Sequence, residues 1–380
     1  MATKKILVTG GMGFVGSYLV DELIERGHQV RIFDSLDPQV HTTGDVPRYA
    51  NPDAEFIRGD VRDYDAFKNA LQGIEIVFHQ AAAVGMGQSQ YEIKKYVDVN
   101  TGGTANFLDI LANNKHRVEK MIVAASQTSY GEGLYTCQEH GPHHPGLRPV
   151  SQLERREWEH KCPSCAKELS AAPVSEDTER ICYAIYAQTK THQEDMVLSI
   201  GNAYKIPAVA LRYFNIFGPR QSLSNPYTGV GAIFISRLKN GKRPVIYEDG
   251  KQSRDFISVH DIVQANMLAM EKSDGDYQAF NVGSGKATSI EQIALTLSKI
   301  LGVEHLKPEI VENYREGDTR HSIADISHIK KTLGFKPSVP FENGMEELVE
   351  WARDEEAVDG FARAQAELQL RGLTAKLDTE

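Results

Sequence analysis

Two hydrophobic periods alternate along the first half of the chain. Short apolar runs at Lys5–Thr9, Gln29–Asp34, Ala54–Arg58, Glu75–Gln80, Lys120–Ala125 and Pro207–Asn215 read as strands. Helical spacing fills the intervals, from about Gly13 to Arg26 with Gly27 as a stop, over Thr101–Lys115 and over Ala184–Tyr204. Strands separated by helices predict right-handed crossovers and a parallel sheet with helices on both faces. Residues 135–180 break the rhythm with Pro, His, Cys and charge, and read as an insertion. Beyond Ile216 the alternation loosens. Helical patterns at Gly231–Asn240, His260–Lys272, Ser289–Leu301 and Asn343–Arg353 predict a smaller second lobe. The expected division is residues 1–215, then 216–354 with 255–272 returning to the first domain, then a polar amphipathic tail over 355–380.

Composition narrows the classes. The 380 residues are 41% hydrophobic and 25% charged, as in ordinary globular proteins. No apolar run approaches the ~18–20 residues that span a bilayer, and Met1–Lys5 leads directly into a strand-like run. A cytoplasmic protein without membrane partners is expected. A formal charge of −10 disfavours nucleic acid as a partner. It leaves room for an anionic small ligand, because helix dipoles and backbone amides hold phosphate locally. Four cysteines are too few for a disulfide scaffold.

The turn between the first strand and first helix reads Thr9-Gly10-Gly11-Met12-Gly13-Phe14-Val15-Gly16. Its glycine spacing, T-G-x-x-G-x-x-G, suits a tight turn at Gly10, close approach of a pyrophosphate at Gly13, and close helix–strand packing at Gly16. The helix N-terminus at Phe14 and Val15 adds unpaired N–H groups. Asp34, with Ser35 after it, ends the second strand; a carboxylate there accepts from ribose hydroxyls and repels a 2′-phosphate. The expected cofactor is NAD. The fold class expected is α/β: a Rossmann-type doubly wound parallel sheet, a smaller α/β substrate lobe and a Cys/His-rich insertion.

Tyr-x-x-x-Lys puts a phenol and an ammonium on one helical face. The ammonium is expected to favour tyrosinate and lower the phenol's pKa, making it a general base. The spacing recurs at Tyr64/Lys68, Tyr91/Lys95, Tyr186/Lys190 and Tyr247/Lys251. Only Tyr186/Lys190 lies in a long helix following the fifth strand. That strand ends in the polar cluster Ser126-Gln127-Thr128-Ser129-Tyr130-Gly131, where ligands bind in open parallel sheets. The other three pairs read as solvated surface.

The order of Thr9–Gly16, Asp34, Gly59-Asp60-Val61, His79-Gln80-Ala81-Ala82-Ala83, Asn100, Ser126–Gly131 and Tyr186/Lys190 resembles the extended short-chain dehydrogenases/reductases. Leu211–Asn215, Gly218–Gln221, Arg254–Ile257 and Asn281–Gly283 extend the resemblance to the nucleotide-sugar epimerase/dehydratase branch. It implies tight NAD binding, with Asp60 and Val61 near adenine and Ala81, Ala82, Ala83 and Asn100 in the cofactor site. Tyr186 would be the base, Lys190 its electrostatic partner, and Ser126 with Thr128 the sugar-hydroxyl ligands. Asn215, Arg254 and Arg315 would hold a nucleotide diphosphate, and Gly231–Tyr247 would surround base and ribose. Helices Thr101–Lys115 and Ala184–Tyr204 resemble those that pair subunits into a homodimer.

Within that branch, 4,6-dehydratases carry Asp-Glu directly after the catalytic Ser/Thr. Here those positions are Gln127 and Thr128, which cannot act as carboxylic acids. The resemblance therefore implies 4-epimerisation: oxidation at C4, rotation of the 4-keto sugar and return of the hydride to its other face. Ser322 falls where galactose 4-epimerases limit pocket size, and a small residue implies a roomy site. The Gly131–Gly141 and Ser222–Val230 segments, with the insertion, look like dTDP-L-rhamnose 4-epimerases. UDP-glucose or UDP-glucuronate 4-epimerase is the alternative. A 4,6-dehydratase, a reductase and a non-catalytic NAD-binding protein follow.

The insertion holds Cys137-x2-His140 and Cys162-x2-Cys165. Soft thiolates with an imidazole suit tetrahedral zinc, and Cys162-Pro163-Ser164-Cys165 resembles a zinc-ribbon knuckle. A metal staple would explain how so polar a segment folds. The fourth ligand is open, since His143, His144, His160 and Cys182 compete with His140. The bland alternative is reduced, unliganded cysteines in a loop. Two roles are open to the insertion: docking a partner, or capping the sugar pocket.

Overall fold

The structure is a computed structural model describing residues 2–225, 227 and 229–374. Pro226 and Thr228, in the segment tied above to substrate, and residues 375–380 of the tail lie outside the described residues. Seven parallel strands form the main sheet: β1 (Lys5–Thr9), β2 (Gln29–Asp34), β3 (Glu55–Arg58), β4 (Ile76–His79), β5 (Lys120–Ser126), β6 (Ala208–Tyr213) and β7 (Gln278–Val282). Their order is β7-β6-β5-β4-β1-β2-β3. The first crossover goes one way from β1 and the later ones the other, so the switch point lies between β1 and β4. This is the doubly wound arrangement expected from the sequence.

Side chains alternate across the sheet. Ile6, Val8, Ile122, Val209 and Leu211 enter one core with helices α1 (Phe14–Glu25) and α6 (Val259–Glu271). Leu7, Val77, Val123, Ala208 and Ala210 enter the other. That core is closed by α2 (Tyr64–Ala70), α3 (Gly103–Asn113) and α4 (Ile185–Tyr204). Covering both faces explains why β5 and β6 are buried along their whole length.

Helices α5 (Val230–Lys239), α7 (Ile290–Ile300) and α8 (Phe341–Arg353) pack a third core around Phe256, Ile235, Ile293 and Leu348. Residues 253–258 are the hub of this lobe. Ser253–Asp255 runs antiparallel to Ala287–Ser289 and parallel to His321–Ser322, while Phe256–Ser258 pairs with Asn215–Phe217.

Three elements differ from the sequence expectation. Pro207–Asn215 is two strands: Tyr213 still pairs with Val282 in the main sheet, whereas Asn215 pairs with Phe256 in the lobe. The chain changes sheets at Phe214, and apolarity on both sides hides the step. The edge strand β7 carries Gln278 and Asn281 among short residues, too mixed for an apolar run. It is fixed by pairing with β6. The helix expected from Thr101 begins as a wider turn at Val97–Gly102 and becomes α3 at Gly103.

Candidate active site

At the C-terminal ends of β1 and β4 the glycine turn is forced by contact. Gly10 has φ +69°, and a Cβ there would lie 2.9 Å from the Ala81 amide nitrogen. A Cβ on Gly16 would meet the Gly10 carbonyl at 2.1 Å, so α1 reaches β1 only as glycine. No side chain caps α1 at Gly13, and no acidic residue occupies its first turn. The amides at Phe14 and Val15 therefore begin a helix whose N-terminal dipole is free for an anion. Asp34 accepts from Met12 N at 3.0 Å and Leu36 N at 2.8 Å. Its carboxylate is fixed at the strand end with lone pairs to spare. Ser35 beside it is exposed.

Asp60 takes three hydrogen bonds from Arg62, and this pairing holds its carboxyl below the usual range. Val61 is buried against Gly103. Asn100 exchanges hydrogen bonds with the Ala83 backbone at 2.7 and 3.1 Å and donates to Thr189 Oγ1 at 3.0 Å. It thus ties the Ala81–Ala83 strand exit to α4. These groups fit a dinucleotide: a glycine cradle, an open helix N-terminus and a strand-end carboxylate.

Ser126 ends β5. Its Oγ accepts from Thr128 N at 3.2 Å and Thr128 Oγ1 at 2.9 Å, leaving its own proton free to donate outward. Tyr186 sits beside Ser126 in the first turn of α4. Here the expectation is corrected. Burial pushes the Tyr186 phenol up to about 12, and only the Ser126 hydroxyl acts the other way. Lys190 is buried, donates to Gln193 Oε1 at 2.8 Å, and is drawn down to about 7 by desolvation, with Glu194 opposing. Neither phenolate nor ammonium is well solvated, so the i, i+4 pair alone does not lower the tyrosine.

Sequence reasoning missed two neighbours. Tyr96 packs edge-on against Tyr186 with ring centroids 6.3 Å apart. His79 is buried behind the site, bonded to Thr9 Oγ1 at 2.9 Å and Thr104 Oγ1 at 3.0 Å. The His79-Gln80-Ala81 motif was the available signal; its polar partners are spread over 95 positions and carry none.

The other Tyr/Lys pairs are not uniformly surface. Tyr91 OH meets Tyr227 OH at 2.6 Å and Glu367 Oε2 at 3.0 Å, and Lys95 donates to Gln39. Tyr64 donates to Asp109. On the lobe side Arg315 lies over the Tyr247 ring at 4.7 Å, and its buried Nε has no partner among the described residues. Asn215 Oδ1 is likewise buried with no partner among the described residues. Arg254 donates to the Arg320 carbonyl at 3.1 Å and to Asp318 Oδ1 at 3.2 Å. Ser322 Oγ donates to Gln127 Oε1 at 2.6 Å.

In the insertion, ligand atoms of Cys137, His140, Cys162 and Cys165 all lie within 4.8 Å of one another. Cys182 is elsewhere, against Thr191 Oγ1 and the Ser129 carbonyl. His144 contacts the Tyr130 carbonyl, and His160 faces Glu132. His143 Nε2 remains beside Cys162 Sγ at 3.6 Å.

The sheet and the Ser126, Tyr186, Lys190 arrangement define a Rossmann-type enzyme of the extended short-chain dehydrogenase/reductase class. Residues 6–151 and 167–283 match the model of the NAD dependent epimerase/dehydratase family, and the chain belongs to that family. The dTDP-L-rhamnose 4-epimerase of Burkholderia thailandensis is 34% identical over 93% of this chain and 96% of its own length. A crystal structure of UDP-glucose 4-epimerase with UDP-glucose from Thermotoga maritima superposes with TM-score 0.76 at 31% identity. It covers 92% of this chain and 98% of the other. The UDP-glucuronic acid 4-epimerase of Bacillus cereus, solved with UDP-glucuronic acid and NAD, gives TM-score 0.74 at 26% identity, covering 92% and 99%. None of the described helices is long and apolar enough to cross a membrane.

Proposed function

We propose that this protein is an NAD-dependent nucleotide-sugar 4-epimerase acting on the pair dTDP-L-rhamnose and dTDP-6-deoxy-L-talose. The observation that carries the reaction type is the strand-end turn, where Ser126 and Tyr186 adjoin while Gln127 is held by Ser322 and Thr128 by Ser126. An amide and a hydroxyl, both committed, stand where a dehydratase needs carboxylic acids. The Burkholderia relative carries the choice of sugar.

In this reading Gly10, Gly13, Phe14, Val15 and Gly16 cradle the pyrophosphate, and Asp34 with Ser35 takes the ribose. Asp60 and Val61 flank adenine, and Ala81–Ala83 with Asn100 line the cofactor path. Bound NAD supplies a reversible hydride acceptor and, when oxidised, a positive charge that favours the Tyr186 phenolate. Tyr186 takes the proton of the 4-hydroxyl and later returns one. Ser126, its Oγ lone pairs engaged by Thr128, donates to the reacting oxygen and holds it near Tyr186. Lys190, steadied by Gln193, sets the electrostatics beneath the phenol. Arg254, Arg315, Tyr247 and Asn215 grip the nucleotide diphosphate; the unpartnered Arg315 Nε and Asn215 Oδ1 are the groups that substrate would satisfy. The groove between α3 and α4, with Ala105, Leu108, Met196 and Ile200 on its walls, is the expected homodimer face.

Incubation without added cofactor, with dTDP-L-rhamnose, UDP-glucose, UDP-glucuronate and dTDP-glucose in parallel, tests the reading. NMR should show only the C4 epimer of dTDP-L-rhamnose in quantity. Preference for a UDP-sugar would move the substrate. A 4-keto-6-deoxy product would replace epimerase by dehydratase.

A further inference from the structure

We infer that Cys137, His140, Cys162 and Cys165 bind one structural Zn²⁺, and that the metal-held insertion positions the sugar-facing strand His321–Ser322 through Glu159, beside Glu132 at the insertion's entrance.

The distances fit the ion. Zn–S bonds of about 2.3 Å and Zn–N bonds of about 2.0–2.1 Å give tetrahedral edges of roughly 3.8 Å for S···S and 3.5 Å for S···N. Cys137 Sγ lies 3.7 Å from Cys165 Sγ, and His140 Nδ1 lies 3.5 Å from both Cys137 Sγ and Cys162 Sγ. The sulfur separation is far too long for a disulfide of about 2.05 Å. Each half is a tight turn. Cys137 pairs with Gly141 across a hairpin, and Gly141 has φ +75°. Cys162 N donates to the Lys167 carbonyl, its own carbonyl accepts from Ala166 N, and Ala166 has φ +57°. That strained alanine follows directly on Cys165, and a metal bound by Cys162 and Cys165 would hold the turn in place. Amides of Glu139 and His140 point at Cys137 Sγ, and those of Ser164 and Cys165 at Cys162 Sγ. Four protein ligands close the coordination sphere, so the ion is structural.

The insertion needs such a staple. The core around its three-stranded sheet is Tyr135, Cys137, Cys162 and Leu169, with Cys165 and Ala171 at the edge, while Leu153 and Trp158 pack separately against Tyr314. So few apolar side chains cannot fix a three-stranded sheet.

What the insertion holds is the approach to the sugar. Arg320, wholly buried, is bonded to Glu159 at 3.0 Å, to Glu248 at 2.9 Å and to Asp249 at 2.7 Å. Its amide donates to Glu132 Oε2 at 2.9 Å. His321 faces Glu159 at 3.1 Å. Arg148, also from the insertion, grips Glu248 with both terminal nitrogens and reaches the Asp318 carbonyl. The strand so clamped carries Ser322 onto Gln127 and accepts Arg254 at the Arg320 carbonyl.

The positioning half rests on the epimerase reading; the metal half does not. Full-length protein purified without chelator should carry about one zinc per chain by plasma mass spectrometry. The Cys162→Ser/Cys165→Ser variant should lose it, and His140→Cys should keep it. Cobalt substitution should give a tetrahedral thiolate spectrum. Folded wild-type protein with metal below about 0.1 per chain, or with a Cys137–Cys165 disulfide, overturns the site. Glu159→Gln should keep zinc and NAD affinity yet raise KM for the nucleotide sugar about tenfold or more, with kcat changed less. An unchanged KM overturns the positioning role and leaves the metal standing. Zinc-loaded wild type that converts no sugar would count against the epimerase alone.

Discussion

The Ser322 hydroxyl donates to the Gln127 side-chain carbonyl at 2.6 Å, joining the lobe strand to the catalytic turn across the site. In the proposed epimerase, Ser322 would bear on the size of the sugar pocket and Gln127 on the absence of elimination chemistry, and the fold makes them one contact. Ser322→Tyr fills this space and removes the donor. It is expected to raise KM for the nucleotide sugar at least about tenfold while NAD binding is unchanged. Ser322→Ala removes only the hydrogen bond, worth about 1 kcal/mol. Steady-state kinetics with an NAD titration checks both; an equal loss of NAD affinity would mean the substitution disturbs the whole site.

Tyr186→Phe keeps the ring against Tyr96 and removes the proposed proton carrier. The expected outcome is intact NAD binding and a kcat lower by about 10²–10⁴, the range for a lost general base. Ser126→Ala should lower kcat less, because Tyr186 remains. Near-normal turnover by Tyr186→Phe would remove it from the base role.

His79 predicts a pH dependence of stability. Burial and the nearby Lys190 draw its pKa to about 3, below its ordinary 6.5. The unfolded chain therefore takes up the proton first as pH falls. Stability from the neutral imidazole is complete above pH 6.5 and is lost progressively toward pH 3. Between pH 6.5 and 5 the loss is about 2 kcal/mol. Urea unfolding of wild type and His79→Asn at both pH values should differ by that slope; parallel slopes would refute the assignment.

The C-terminal helix Phe361–Leu370 places Glu367 on Tyr91 and Tyr227, and Leu368 packs near Gly87 in the short helix Met86–Ser89 of the segment beyond Ala81–Ala83. Glu367→Gln weakens two charge-assisted hydrogen bonds that tie this region to the Tyr227 segment. KM for the sugar should rise several-fold with little change in melting temperature. A several-degree drop in melting with unchanged KM would assign the helix to stability alone.

The dinucleotide half was largely legible because its chemistry is local. Glycines at 10, 13 and 16, a strand end at Asp34 and Tyr186/Lys190 on one helical face are all encoded by spacing. The Cys137/His140 and Cys162/Cys165 pairs were also visible, although four other side chains competed for the fourth place until folding put His140 Nδ1 between two sulfurs.

What spacing could not supply is anything set by long-range burial. The sequence determined the parallel sheet, the glycine turn and the placing of Tyr186 and Lys190 on one helical face, because each follows from periods of two or 3.6 residues and from fixed backbone demands. The surroundings of those groups come from packing between distant parts of the chain. That packing half-buries Tyr186 and buries Lys190, so that desolvation raises the phenol and lowers the ammonium, and it brings Ser322 onto Gln127 across 195 positions. It also gathers Glu159, Glu248 and Asp249 around Arg320. Desolvation and cross-chain ion pairs depend on what packs from elsewhere in the chain, and no local pattern records that.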